Sequence, residues 1–206
     1  AFGAQGITVH PRPDERHIPY QDARELPTVI TTEFNIEGNP IPKFIDMVCA
    51  IKPDQVTLVP DAPDAITSNA GWDTVANRAF LQEVIQEFKQ HGIRTSIFLD
   101  PDAAQVEAVV KTGTDRIELY TQAYAEAYTL DPVKAIAPFV DAATKAQEVG
   151  LGLNAGHDLS LHNIAFFAQQ LPGLLEVSVG HALICESLYF GLENVINQYK
   201  AKLSTH

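Results

Sequence analysis

Histidine and carboxylate side chains recur in this sequence where short apolar segments end. His10, Glu37, His157 and His181 each stand at or beside the end of a segment patterned as a β-strand. The carboxyl ends of parallel strands meet at one mouth of an α/β sheet or barrel, so these side chains are expected to converge. Imidazole and carboxyl groups exchange protons near neutral pH. A single histidine at a strand end is more often structural, but the joint placement predicts acid/base catalysis.

A fifth titratable residue, Glu118, lies inside a strand rather than at its end. It alternates with Ile117 and Leu119, which places it on the opposite face of the strand, in the interior of a closed barrel. A buried carboxylate needs a cationic or hydrogen-bonded partner. Glu118 is therefore expected either to stabilise a cationic intermediate or to pair with an arginine.

Two groups of residues have the chemistry of anion sites. The first is a pair of matching dipeptides in the last two units, Gly156-His157 and Gly180-His181. In barrels, the last two loops often hold phosphate through backbone N–H groups. The second group follows the first strand and consists of Arg12, Arg16 and His17. Two anion sites facing one acid/base set predict a reaction that joins two phosphorylated small molecules.

Alternating strand and helix patterns position these residues. Strands are predicted at 6–10, 31–37, 55–60, 94–100, 116–120, 151–153 and 174–181, and helices at 21–26, 43–51, 74–90, 102–111, 131–149, 163–170 and 184–202. The segment 154–156 is expected to end the sixth strand in a tight turn. No composition break divides residues 1–206, which predicts one α/β domain with an all-parallel sheet. Residues 61–73 form a long loop of the kind that often serves as a lid. A parallel barrel needs eight strands, so one βα unit is expected upstream of residue 1.

Composition excludes several partner classes. The net charge is −12, from 26 acidic and 14 basic side chains. Nucleic acid and anionic membranes are not expected as partners because both require a basic face. Two cysteines, Cys49 and Cys185, lie in helical patterns without metal-type spacing, which favours a reduced cytoplasmic setting.

Three motifs in order give the chain a resemblance to a known family. They are the segment from Gly6 to His10 with Arg12, Asp14, Arg16, His17 and Ile18; Leu153-Asn154-Ala155-Gly156-His157 with His162-Asn163; and Gly180-His181-Ala182-Leu183-Ile184. Together with Asn35-Ile36-Glu37, Leu58-Val59-Pro60 and Ile117-Glu118, they are similar to the pyridoxine 5'-phosphate synthase family of vitamin B6 biosynthesis, along the whole chain.

The resemblance implies a (β/α)8 TIM barrel with extra helices, whose first strand is missing from the given sequence. It implies condensation of 1-deoxy-D-xylulose 5-phosphate with 3-amino-2-oxopropyl phosphate to pyridoxine 5'-phosphate, inorganic phosphate and water. No metal or organic cofactor is expected. The resemblance also implies a homo-octamer whose long loop closes over the site.

Site roles follow from the same resemblance. The implied catalytic residues are His10 and Glu37 as bases, His157 as a proton donor and Glu118 as the stabiliser of a charged transition state. The implied ligands of the deoxyxylulose phosphate are Arg12, His17 and Thr67. Those of the aminoketone phosphate are the loop amides near His157, at Asp158, together with Gly180 and His181.

The chain departs from the family pattern at three places. The family's first strand carries an Asn-x-Asp-His segment and a nearby arginine that touch substrate, and this sequence has neither. Asp158 stands where the family usually has glycine, and its carboxylate would repel a bound phosphate unless it turns away to cap the next helix, for which Ser160 is the alternative. Cys185-Glu186 replaces a more usual Gly-Arg pair.

Two other functions stay open at this point. One is a different phosphate-handling barrel enzyme, such as an epimerase or an aldolase, although a Schiff-base aldolase would need a lysine that no predicted strand end carries. The other is a non-catalytic barrel that binds a phosphorylated metabolite.

Overall fold

Seven parallel strands form the sheet, and their order in space is their order in the chain. The computed structural model describes residues 2–61, 68 and 70–204. The strands are β1 Gly6–Val9, β2 Glu33–Gly38, β3 Gln55–Leu58, β4 Arg94–Leu99, β5 Arg116–Tyr120, β6 Gly152–His157 and β7 Leu174–Val179. The predicted α/β barrel class is confirmed, as a near-closed parallel barrel. Within the described ranges β1 and β7 are not paired with each other, and an eighth strand upstream stays a prediction.

Nine α-helices accompany the strands in the described part of the chain. They are α1 Tyr20–Glu25, α2 Pro42–Ile51, α3 Arg78–Gln90, α4 Ala103–Val109, α5 Gln122–Ala127, α6 Pro132–Glu148, α7 Ile164–Gln170, α8 His181–Phe190 and α9 Leu192–Leu203. Asp131 caps α6 as a strong helix start should, since its Oδ1 accepts from the Lys134 N–H at 3.0 Å. None of the helices described is long and apolar enough to cross a membrane.

Three helix and strand predictions need correction. The single last helix is two helices, because Gly191 has a φ of +80° and ends α8 before α9 begins. Helix α5 was not predicted. Strand β6 continues through Asn154 and Gly156 to His157, because all three pair with neighbouring strands instead of forming a turn.

The strict alternation of side chains sorts each strand into two faces. Ile117 and Leu119 on β5 belong to the main core beneath the helices, where the largest fully buried side chains include Phe44, Phe88, Phe139 and Phe167. The alternate residues point into the barrel. Glu118, flanked by those two core residues, is therefore interior, as predicted.

Charged side chains close the amino-terminal end of the barrel. Arg94 forms an ion pair with Glu33, and its Nε donates to Gln55 Oε1 at 2.9 Å. Across the interior, Arg116 Nη1 donates to Glu176 Oε1 at 2.6 Å. These contacts join strands β2 to β5 and β7 at the end opposite the catalytic mouth, where TIM barrels carry residues for stability.

Replacing Gly38, the last residue of β2, by alanine is expected to destabilise the fold. A Cβ at this position would lie 3.0 Å or less from three ring carbons of Phe44, which is fully buried and packed against the core. Overpacking of this kind costs about 1–3 kcal/mol. Urea unfolding measures the loss. Gly6→Ala on β1 is the matched control, because its added Cβ would come no closer than 3.4 Å to a neighbour; equal stability of both variants would contradict the prediction.

Candidate active site

His10 lies between two carboxylates at the mouth of the barrel. It follows β1, and its Nδ1 is 3.9 Å from Oε2 of Glu37 near the end of β2. Its Nε2 is 3.7 Å from Oδ2 of Asp61, which follows β3. Both separations are longer than hydrogen bonds, as is common for catalytic contacts before substrate binds. The structure thus brings the predicted pair His10 and Glu37 together.

Their shared environment shifts the pKa values of Glu37 and His10 in opposite directions. Burial, followed by the charge of Asp61, raises the pKa of Glu37 to about 7. Burial and then the charge of Arg12 lower the pKa of His10 to about 4, against the opposing effect of Asp61. At neutral pH the imidazole is therefore uncharged, and Glu37 exists in both protonation states, as a general acid/base requires.

These pKa values link folding stability to pH. Because the pKa of Glu37 is raised in the folded protein, its protonation stabilises the fold. This contribution is complete below pH 4.5, the ordinary pKa of glutamate, and is lost as the pH rises through 7. Because the pKa of His10 is lowered in the folded protein, its neutral form stabilises the fold. This contribution is complete above pH 6.5, the ordinary pKa of histidine, and is lost as the pH falls through 4. Between pH 4.5 and 6.5 the two slopes oppose each other.

Replacing His10 by asparagine is expected to uncover the contribution of Glu37. In this variant the free energy of unfolding should fall by up to about 3 kcal/mol as the pH rises from 4.5 to 7, a steeper fall than in the parent protein. Urea unfolding at a series of pH values measures this slope. His91→Asn is the control, because His91 lies at the far end of α3. A slope that is unchanged in the His10 variant would contradict the assignment.

Glu118 occupies the interior below this pair. It is 2% exposed, and Thr57 Oγ1 donates to its Oε2 at 3.5 Å. Burial, with the charges of Glu37 and Glu176, raises the pKa of Glu118 well above its ordinary value. Of the two expected partners the structure supplies a hydroxyl, and the neighbouring Arg116 binds Glu176 instead. This environment therefore favours the neutral carboxylic acid form of Glu118 over the carboxylate.

His157 ends β6 with a strained backbone. Its φ of +106° is rare for a residue with a side chain and marks a position held by its surroundings. The ring stands edge-on to Tyr120 at 5.2 Å between centroids, and lies 6.3 Å from the ring of Phe98. The side chain faces the mouth near enough to His10 to lower the pKa of that imidazole.

Asp158 does not cap the following helix. Its Oδ2 contacts Nδ1 of His157 at 3.0 Å, and its N–H donates to Thr121 Oγ1 at 3.2 Å, so the carboxylate turns back to the ring. The residue before α7 is Asn163, and the Ser160 hydroxyl accepts from the His162 N–H without reaching the helix. Asp158 is therefore not a helix cap, and Ser160 caps only the turn at 161–163 that leads into α7.

The two Gly-His pairs lie at the ends of neighbouring strands, and the strand predicted at 174–181 ends at Val179. Strand β6 pairs with β7 so that His157 is opposite Val179, one residue before Gly180. Gly180 precedes α8 and His181 is its first residue; both are exposed. Their backbone N–H groups stand where a helix start favours an anion. Cys185, one turn later, places its sulfur 3.6 Å from Nε2 of His181.

The residues of the other predicted anion site are only partly gathered. Arg12 is 3% exposed, and its Nη2 lies 3.1 Å from Asp61 Oδ2. His17 is exposed, and partial burial together with Arg12 and Arg16 lowers its pKa. Arg16 forms an ion pair with Asp14 at 2.9 Å. Thr67 lies outside the described residues.

Sequence reasoning missed Asp61 and an apolar wall. Asp61 was assigned to the long loop, although its position directly after a strand end was the available signal. The wall consists of Val59, Phe98 and Tyr120, a small buried cluster separate from the main core. It lines the barrel mouth beside His157, so the acid/base groups are flanked by polar side chains on one side and by this apolar wall on the other.

Metal-ligating side chains meet outside the mouth. Cys49, Glu87 and His91 have ligand atoms within 4.8 Å of one another, half-buried between α2 and α3. Among the residues that the structure describes, this is the one such grouping. It lies away from His10 and Glu37 and plays no part in the chemistry above.

Comparisons with known proteins find one family along nearly the whole chain. A family model described as pyridoxal phosphate biosynthesis protein PdxJ matches residues 1–205. The chain is 66% identical over 202 residues to pyridoxine 5'-phosphate synthase of Flavobacterium johnsoniae, covering 98% of this chain and 85% of the relative. It is 62% identical over 204 residues to the enzyme of the same name from Parabacteroides distasonis, covering 99% and 86%.

Solved structures of low identity share the fold. Phosphoribosyl anthranilate isomerase from Thermococcus kodakaraensis superposes with a TM-score of 0.63 at 13% identity, covering 98% of this chain and 90% of that one. The Amycolatopsis orientalis BexX/CysO complex gives a TM-score of 0.62 at 15% identity, with 98% and 80% covered. These likenesses support the barrel alone.

Proposed function

Because the chain belongs to the PdxJ family of pyridoxal phosphate biosynthesis proteins, we propose that it closes the pyridine ring of vitamin B6. The substrates are 1-deoxy-D-xylulose 5-phosphate and 3-amino-2-oxopropyl phosphate. The products are pyridoxine 5'-phosphate, inorganic phosphate and water. The observation that carries the proposal is the meeting of Glu37, His10 and His157 at one barrel mouth, with Glu37 poised to titrate at neutral pH.

The reaction is a series of proton transfers, which suits this set of groups. Imine formation, loss of phosphate and ring closure each need a proton removed from one atom and delivered to another. Glu37 and neutral His10 serve as bases, and His157 on the opposite strand delivers protons. A positioned acid or base of this kind contributes a factor of about 10² to 10⁴.

Two anion sites would hold the two phosphates apart. Arg12 and His17, after β1, are proposed to bind the deoxyxylulose phosphate, with Thr67 as a third ligand. The amides at Gly180 and His181 are proposed to bind the aminoketone phosphate, because the start of α8 favours negative charge. The Asp158 carboxylate lies against the His157 ring, and this contact supports a phosphate site on the far side of that ring.

Glu118 is proposed to act when positive charge forms. A neutral carboxyl inside the barrel costs less to bury than a carboxylate. When a neutral imine forms above it, Glu118 can give its proton to the imine nitrogen, and the carboxylate left behind stabilises the resulting cation, with Thr57 supplying a hydrogen bond to the charged form. The apolar wall at Phe98 and Tyr120 reduces access of water to the reactive imine.

The assay that tests this function supplies both substrates to the purified protein. Release of inorganic phosphate and the absorbance of pyridoxine 5'-phosphate are followed together, with each substrate omitted in turn. We expect both signals in equal amounts and neither signal with one substrate absent. Absence of turnover from the folded protein would favour the non-catalytic phosphometabolite-binding alternative.

Assembly into a homo-octamer, like a cytoplasmic location, stays a prediction. Supporting a homo-oligomer, the end of α8 exposes large apolar side chains: Leu188 is 82% and Tyr189 is 84% exposed. Side chains of this size seldom cluster on a surface that nothing covers. Light scattering of the purified protein measures the assembly, and a monomer at micromolar concentration would refute it.

A further inference from the structure

Asp61 is a buried carboxylate at the centre of the mouth's polar contacts. It is 7% exposed, and one oxygen, Oδ2, collects the contacts. The Ser68 hydroxyl donates to it at 2.7 Å, Arg12 Nη2 lies at 3.1 Å and His10 Nε2 at 3.7 Å. Its backbone oxygen accepts from Asn39 Nδ2 at 2.5 Å. Hydrogen bonds therefore hold both the backbone and the side chain of Asp61, and its carboxylate lies close to His10 and Arg12, two residues with roles in the proposed reaction.

We propose that Asp61 is a positioning residue that orients Arg12 for the substrate phosphate and keeps the proton of neutral His10 on Nε2. The second ring nitrogen, Nδ1, is then an open acceptor that faces Glu37. This inference deepens the proposed function and rests on it for its kinetic consequences.

The hydrogen-bonding capacity of the groups sets the histidine tautomer. A neutral imidazole has one N–H donor and one acceptor nitrogen, and a carboxylate only accepts. Nε2 lies 3.7 Å from the Asp61 carboxylate, longer than a hydrogen bond, and the charge of that carboxylate favours the proton on this nearer nitrogen. Nδ1 faces Glu37, whose protonated form can donate to it. A proton can therefore pass between Glu37 and Nδ1 without a proton transfer to Asp61, the role that the orienting aspartate has in other acid/base sites.

The same oxygen fixes the arginine. Arg12 is 3% exposed, and a buried guanidinium needs a negative partner to offset its desolvation. Asp61 supplies that partner at 3.1 Å, in a charge-assisted contact. The contact sets the orientation of a planar fork that binds phosphate only from certain directions. Loss of the carboxylate would leave Arg12 charged and without this constraint.

Several charges act on His10 besides Asp61. Glu37 faces it from β2, Arg12 and His17 from the loop after β1, and His157 from β6. Arg12, His17 and His157 all disfavour the imidazolium, and Asp61 opposes them. Removing the Asp61 charge would therefore lower the pKa of both His10 and Glu37, because the carboxylate raises both.

The first test uses the intact parent protein and needs no turnover. Nitrogen-15 spectra of histidine-labelled protein at pH 7 distinguish a protonated from a bare ring nitrogen, with His10→Asn used to assign the signal. We expect His10 with the proton on Nε2. A proton on Nδ1 would overturn the tautomer assignment, whether or not the protein is a synthase.

The second test compares Asp61→Asn and Asp61→Glu with the parent. For Asp61→Asn we expect KM for deoxyxylulose phosphate to rise about tenfold and kcat to fall about tenfold. The Glu37 ionisation in the pH profile should move to lower pH, a shift that a merely structural residue would not produce. Asp61→Glu, which keeps the charge, should recover at least half of the lost kcat.

Asp100→Asn is the matched control. Asp100 follows the neighbouring strand β4 and accepts from the Gly71 N–H at 3.1 Å, so it resembles Asp61 in its place after a strand but binds a different partner. Changes below threefold in both constants of folded Asp61→Asn, or a lower KM, would overturn the proposal. An inactive parent would instead refute the proposed function, and the tautomer measurement would still decide the inference about His10.

Discussion

Replacing Glu37 by glutamine is expected to lower kcat by about 10² to 10⁴-fold and to leave the fold intact. Glutamine keeps the shape of the side chain but cannot take up or release a proton at neutral pH. The factor is that of one lost general acid/base. Burial and Asp61 raise the pKa of the parent carboxyl to about 7, so the proton it exchanges is available at the working pH.

The pH profile makes this prediction specific. Between pH 5 and 9, kcat/KM of the parent should show an ionisation near 7, and the Glu37→Gln variant should lack it at its much lower rate. Glu83→Gln, on the exposed face of α3, is the control and should retain both rate and profile. Undiminished turnover in Glu37→Gln would keep the reaction and discard Glu37 as its acid/base.

Replacing Glu118 by glutamine is expected to separate activity from stability. In the free protein burial raises the pKa of this carboxyl well above the ordinary value, which favours the neutral acid, and glutamine matches that form in charge and shape. The Thr57 hydroxyl can still donate to the amide oxygen. We expect the free energy of unfolding at pH 7 to change by no more than about 1 kcal/mol.

Activity should respond far more strongly. An amide cannot ionise to stabilise a cationic intermediate, and loss of one such electrostatic group costs about 10² to 10³-fold in kcat. Turnover and urea unfolding measured on the same preparation test both halves. A fall in stability of several kcal/mol with unchanged kcat would show that Glu118 is an ionised structural residue, contrary to the role proposed here.

The sequence alone determined the strand order and the inner face. Seven apolar strands separated by helices leave few topologies, because connections between parallel strands are short and right-handed. Alternation along β5 was sufficient to place Glu118 inside the barrel, since a strand sends successive side chains to opposite faces. The convergence of His10, Glu37 and His157 followed from the same rule, because all parallel strands end at one mouth. The motifs that resemble the family also lie in the sequence.

The sequence was a weaker guide to where helices and strands end. The apolar pattern of the last helix continues across Gly191, and only the backbone there, with its positive φ, separates α8 from α9. The Asn-Ala-Gly segment of β6 has turn-forming residues, yet pairing with both neighbouring strands keeps it extended. Tertiary pairing outweighed local preference in that case.

Only the tertiary structure decided how the site groups act on one another. Asp61 meets Arg12 and His10 because β1 and β3 end at the same mouth, although the residues are far apart in the chain. The proton affinities of Glu37, His10 and Glu118 depend on burial and on charges from other strands. Residue type and spacing carry no information about how far a group is desolvated in the folded protein. The sequence therefore identified most of the acid/base groups, and the tertiary structure determined their pKa values.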